Sequence, residues 1–158
     1  MIGGKQLAMR PATPADESFL RTLFADSRPD LAQLPEPVRS QLIDLQFRAQ
    51  RQQYRQDAPD SVEQVVELAG EPIGRLWISA GAESHRLLDI VIDGRCRGQG
   101  LGSALLAGLQ TAAARAGVPL RLHVWSQNAA AVRLYQRLGF QPVGDSNGYL
   151  ALQWNSER

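Results

Sequence analysis

The segment Arg97-Gly98-Gln99-Gly100-Leu101-Gly102 lies between the apolar run Leu87–Ile92 and a helical pattern that begins at Ser103. A strand, a sharp turn and a helix must follow one another here. Glycines at three alternate positions let the backbone enter left-handed conformations and approach a ligand without Cβ clashes. A helix starting directly after such a turn points its unpaired N–H groups and the positive end of its dipole at whatever fills the turn. That is a binding site for phosphate or pyrophosphate.

On either side the chain alternates between two periodicities. Gln6–Arg10 reads as a short strand. Thr13 suits a helix N-cap, Pro14 the first turn, and Asp16 and Glu17 complement the dipole of a helix that buries Phe19, Leu20, Leu23 and Phe24. Ser27–Pro37 reads as a proline-rich loop, and a second helix runs from Val38 to Gln56, with Val38, Leu42, Leu45 and Ala49 as its apolar stripe. The period then shifts to two: Val62–Ala69 and Pro72–Ala80 are strands joined by a turn at Gly70-Glu71, and Ser84–Ile92 is a third. The helix after the glycine turn aligns Leu101, Leu105, Leu109, Ala112 and Ala116 and closes at Gly117. Leu120–Trp125 is a strand, Asn128–Leu138 a helix ended by Gly139, and Phe140–Gly144 with Tyr149–Trp154 a final hairpin. The order β-α-α-β-β-β-α-β-α-β-β predicts a mixed α/β sheet with helices on both faces.

Composition narrows the function. A chain of 158 residues suits one domain, expected over residues 5–155. Net charge is +1 with scattered arginines, so no nucleic-acid partner is expected. One cysteine, Cys96, argues against a disulfide framework or a cysteine-rich metal site, and it reads as an incidental loop thiol. No stretch approaches the roughly eighteen apolar residues of a membrane span, and the first residues lack a signal-peptide core. A cytoplasmic protein with no membrane partner and no metal is expected.

Three phosphate motifs can be tested against the turn. A nucleotide P-loop needs four residues between its glycines followed by Lys-Ser/Thr, which this chain lacks. A dinucleotide fingerprint would put Gly or Ala where Ser103 stands and an acidic ribose ligand at the end of the next strand, where Leu120–Trp125 offers none. The pattern Arg/Gln-x-x-Gly-x-Gly/Ala, present as Arg97-Gly98-Gln99-Gly100-Leu101-Gly102, resembles the acetyl-CoA signature of the GNAT superfamily of N-acetyltransferases. A second segment, Asn128-Ala129-Ala130-Ala131-Val132-Arg133-Leu134-Tyr135 followed by Gly139-Phe140, is similar to the Asn-x-x-Ala-x-x-Leu-Tyr…Gly-Phe stretch of the same superfamily. The element order agrees over nearly the whole chain, least across Ser27–Asp60.

The resemblance implies a mostly antiparallel sheet of about seven strands flanked by about four helices, with acetyl-CoA as co-substrate. It implies that the backbone of Ile90, Val91 and Ile92 pairs with the pantetheine amides, and that the amides from Arg97 through Gly98, Gln99, Gly100, Leu101 and Gly102 to Ser103 hold the pyrophosphate. Asn128 would hydrogen-bond the pantetheine arm, and Tyr135, two helical turns on, would protonate the leaving thiolate. A phenol with a reference pKa of about 10 is protonated at neutral pH and can do so. An attacking amine must first lose a proton. His123, where some relatives carry Glu, and Asp89, a carboxylate inside an apolar strand, are the two candidate bases. Asp89 has a structural reading as well, as a partner of Arg86 or Arg95. Phe47, Gln50 and Tyr54 are candidate acceptor contacts; Trp77 and Trp125 either line the acceptor cleft or pack in the core.

The resulting expectation is acetyl transfer to the amine of a small molecule or peptide, by direct attack in a ternary complex. Transfer of a different acyl group and a non-catalytic acyl-CoA-binding module stay open, as does a homodimer.

Overall fold

The computed structural model describes residues 4–156. Seven strands are ordered β1-β2-β3-β4-β5-β7-β6 in one mostly antiparallel sheet. In chain order they are β1 (Leu7–Pro11), β2 (Val62–Leu68), β3 (Glu71–Ala80), β4 (His85–Ile92), β5 (Leu120–Trp125), β6 (Gln141–Ser146) and β7 (Tyr149–Trp154). The helices are α1 (Glu17–Asp26), α2 (Pro29–Ala32), α3 (Val38–Asp57), α4 (Leu101–Ala116) and α5 (Ala129–Arg137). The fifth helix beyond the expected four is α2, a single turn inside the proline-rich segment. Pro29 sets its first residue and the side chain of Leu31 is buried. The described chain forms two compact units, one of residues 4–77 with Asp89–Gln99, the other of Ile78–Leu88 with residues 100–156.

In the first unit, β1 pairs antiparallel with β2 from Leu7↔Leu68 to Pro11↔Gln64. Arg10 forks onto both oxygens of Asp16 at 2.8 Å, and Asp16 also accepts from the Thr13 N–H at 2.8 Å. These donors hold the Asp16 carboxyl well below the usual carboxylate range and fix the entry to α1. The core is Leu20, Phe24, Leu31, Ile43, Phe47 and Val65, with the Phe24 and Phe47 rings 5.7 Å apart. The expected stripe of α3 is therefore rotated. Leu45 is 63% exposed and Val38 is exposed too, while Ile43 and Phe47 point inward. A phenylalanine removes more apolar area from water than the alanine and valine of the competing stripe, so it decides which face turns in.

The β2–β3 turn sits one residue earlier than expected, at Ala69 (φ 53°) and Gly70 (φ 82°). Two left-handed residues make a primed hairpin turn. Ala69 is strained there, whereas the β6–β7 turn places Asn147 (φ 52°) before Gly148 (φ 85°). Ala69→Asn is expected to stabilise the protein by about 1 kcal/mol, read as a higher urea midpoint at unchanged slope; an unmoved midpoint would contradict the strain. On β3, a Cβ added to Gly74 would lie 2.5 Å from the Val91 carbonyl oxygen, so the end of β4 approaches β3 closely because residue 74 has no side chain.

In the second unit, β4 and β5 run parallel over His85–Leu87 and Leu120–Leu122, and β5 pairs antiparallel with β7 over its full length. The side chains of α4 that turn inward are Leu101, Leu105, Leu106 and Ala113; Ala112 and Ala116, expected on that stripe, are exposed. Gly117 (φ 72°) closes the helix as its left-handed cap. Strand β6, last in the order, is exposed at every residue and breaks register between Pro142 and Gly144. Among the described residues no helix is long and apolar enough to cross a membrane.

Candidate active site

The approach to the glycine turn is fixed by Asp93. Its backbone N–H donates to the Ile73 carbonyl at 2.7 Å, and its side chain accepts from the Arg95 N–H at 3.0 Å and the Arg95 guanidinium at 2.9 Å. The chain then runs exposed through Arg97, Gly98, Gln99 and Gly100. Gly98 (φ 77°) and Gly100 (φ 76°) are both left-handed, and Gly100 is the N-cap of α4. A glycine cap supplies no side-chain acceptor, so the first amides of α4, at Leu101, Gly102 and Ser103, receive no cap from it. Leu101 is buried and anchors the helix, which restricts its role toward a ligand to its backbone.

Ahead of the turn, the β4–β5 ladder ends at Leu87, whereas β4 runs on to Ile92. Asp89, Ile90, Val91 and Ile92 are each half-buried. Asp89 does not pair with Arg86 or Arg95. Its Oδ2 accepts from Nη2 of Arg75 at 2.6 Å, and Arg95 is taken up by Asp93. Burial pushes the Asp89 carboxyl up from its ordinary value, with Arg75 pulling the other way.

In the second unit, His123 stands exposed on β5 between the buried Leu122 and Val124, across from Ala151 of β7. Asn128 is the N-cap of α5, its Oδ1 accepting from the Ala131 N–H at 3.3 Å. The two-turn count to Tyr135 thus starts at a cap, just outside the helix. Tyr135 is 8% exposed and stacks edge-on against Phe140 at 5.6 Å.

The candidate acceptor contacts separate. Phe47 is a core residue, which removes it from that role, and Trp77 is equally buried, its Nε1 donating to Ser61 Oγ at 2.8 Å. Tyr54 packs edge-on against Trp77 at 5.1 Å, and Gln50 accepts from Arg75. Trp125 is 46% exposed and pairs with Tyr149 at 5.2 Å. A cluster that the sequence reading did not single out backs Asp89: Arg75, Glu63, Arg51 and Arg55. Its signal was a charge at position 75 within the otherwise apolar Ile73–Ile78 stretch.

The model of the acetyltransferase (GNAT) family matches residues 21–140, and the chain belongs to that family. No match was found among curated proteins. Among solved structures, the chain is similar to an acetyltransferase from Thermus thermophilus, at 25% identity and TM-score 0.71, covering 96% of this chain and 97% of that one. It shares its fold with the PaiA N-acetyltransferase of Thermoplasma acidophilum, solved in complex with coenzyme A, at 15% identity, TM-score 0.71 and coverage of 96% and 99%. The fold also matches YncA, a putative acetyltransferase from Salmonella typhimurium solved with its cofactor acetyl-CoA, at 20% identity, TM-score 0.58 and coverage of 97% and 95%.

Proposed function

We propose that the protein transfers the acetyl group of acetyl-CoA to a primary amine by direct attack in a ternary complex. The observation that carries this reading is the start of α4 on a left-handed glycine with no side-chain cap, two residues after a second left-handed glycine. The amides of residues 97–103 suit a pyrophosphate, held by oriented N–H groups and the helix dipole. The edge of β4 at Ile90–Ile92, beyond the end of its ladder with β5, suits the pantetheine amides as an added strand would. The amide near Ile92 would polarise the acetyl carbonyl.

The amine arrives as an ammonium, because its reference pKa is about 10.4. Asp89 or His123 accepts its proton. The freed lone pair forms the N–C bond, the C–S bond breaks, and Tyr135 gives its proton to the departing sulfur. The acylated nitrogen then sheds its second proton to solvent while Tyr135 recovers one, and the base releases the first, so amide, free thiol and one released proton are the products. CoA thiol release is the measurement, across a panel of small amines, amino acids, peptide N-termini and lysine side chains. Release with at least one class supports transfer. Tight acetyl-CoA binding without release from any of them would make the protein an acyl-CoA-binding module instead, and faster release from a longer acyl donor would change the transferred group.

A further inference from the structure

The least expected side chain in the first unit is Arg75. It sits in the middle of β3 and is 2% exposed. Its Nη2 donates to Asp89 Oδ2 at 2.6 Å and to Gln50 Oε1 at 2.5 Å, its Nη1 lies 3.7 Å from Glu63 Oε2, and its guanidinium stands 5.4 Å from the Trp77 ring centre. Glu63, itself 6% exposed at its side chain, is shared with Arg51 at 2.7 Å and Arg55 at 3.9 Å of α3. A buried ion pair is poor evidence for stability, since desolvation offsets its attraction and apolar residues of similar volume commonly do as well. This cluster is not even satisfied. Arg75 Nε, Arg51 Nε and Glu63 Oε2 are buried without a hydrogen-bond partner. A half-satisfied polar network is a worse core than an apolar one.

The asymmetry at Asp89 gives the cluster a purpose. Asp89 retains 20% exposure of its side chain, whereas Arg75 behind it is sealed. We propose that Arg75 is a positioning residue for acetyl transfer: it grips Asp89 by one carboxylate oxygen, fixes the rotamer of that side chain and keeps it ionised as the base that takes the amine proton. Gln50 and Glu63 hold Arg75 in turn, the first by a hydrogen bond from α3 and the second by charge from β2. Without this counter-ion little opposes the burial that pushes the Asp89 carboxyl up, and a protonated carboxyl cannot accept the amine proton. The charged groups that bear on Asp89 are Arg75 of β3 and Glu63 of β2, with Arg51 and Arg55 of α3 acting on Glu63. The inference rests on the reading of Asp89, rather than His123, as the base.

Carboxyl NMR of protein carrying carbon-13 aspartate reports the titration of Asp89 without needing an acceptor, with the resonance assigned from Asp89→Asn. In Arg75→Met the midpoint is expected to rise by about one to three units. In Arg75→Lys, which keeps the charge, it should stay near that of the parent. The acid limb of the kcat/KM–pH profile should move with the NMR midpoint, so Arg75→Met loses activity at neutral pH and regains it at higher pH. A merely structural arginine would lower activity equally at every pH. If Arg75→Met folds poorly, Arg75→Met/Glu63→Gln removes the carboxylate left behind and is read against Glu63→Gln alone, because Glu63 also bears on Asp89. An unmoved midpoint in the Met variants, or equal shifts in Met and Lys, overturns the role of Arg75. Full activity with an unchanged acid limb in Asp89→Asn instead overturns the assignment of Asp89 as base, whatever Arg75 does.

Discussion

Tyr135→Phe is expected to lower turnover with an amine acceptor by about a hundredfold or more, with acetyl-CoA affinity nearly unchanged. The substitution keeps the part of the side chain that packs in the fold. It is buried and packs edge-on against Phe140, and phenylalanine keeps that contact. Only the hydroxyl is removed, and with it the proton that would reach the thiolate. Steady-state kinetics with thiol detection and calorimetric titration of acetyl-CoA separate the two quantities. Unchanged turnover would remove Tyr135 as the acid, and a loss of affinity equal to the loss of rate would move it to cofactor binding.

The second large effect is expected at Gly100. Its φ of 76° lies in the left-handed region, yet a Cβ there would meet no atom within 4 Å. The requirement for glycine is therefore conformational. Holding a non-glycine residue in that region costs about 1–3 kcal/mol, more for a β-branched one. Relaxing the strain would turn the first amides of α4 away from the pyrophosphate. Gly100→Val should raise the acetyl-CoA dissociation constant by about ten- to a hundredfold. Gly94→Val is the matched control, since Gly94 is equally open and not left-handed. Calorimetry on both variants is decisive: full affinity in Gly100→Val would remove the turn from the pyrophosphate site.

What could be read from the sequence was whatever a single element displays. The bounds of β5 and β7 were legible because buried and exposed residues alternate along β5, and the left-handed Gly117 ends α4 where a glycine followed by Val-Pro predicted it. The glycine turn and the Asn128–Tyr135 segment were equally plain, each being local in the chain. The stripe of α3 was not, because two apolar faces compete along a very polar helix and the contact of Phe47 with Phe24 decides between them. The Arg75 cluster was hidden for a stronger reason. Gln50, Glu63, Arg75 and Asp89 come from four different elements, and no periodicity within one element reports what the other three bring to it. The partner of Asp89 is accordingly Arg75 of the neighbouring strand, not Arg86 or Arg95, which lie near it in sequence.

Strand β6 has a consequence for the protein in concentrated solution. A terminal strand with every side chain exposed is a template on which stray chains can add and begin a fibre. Here the register shift between Pro142 and Gly144 interrupts the row of backbone donors and acceptors that such growth would copy. Pro142 has no N–H to offer, and Asp145 sets a charge beside the interruption. The irregularity that looks like poor strand design is what keeps a solvent-facing rim, bearing the apolar Val143, from becoming a seed for aggregation.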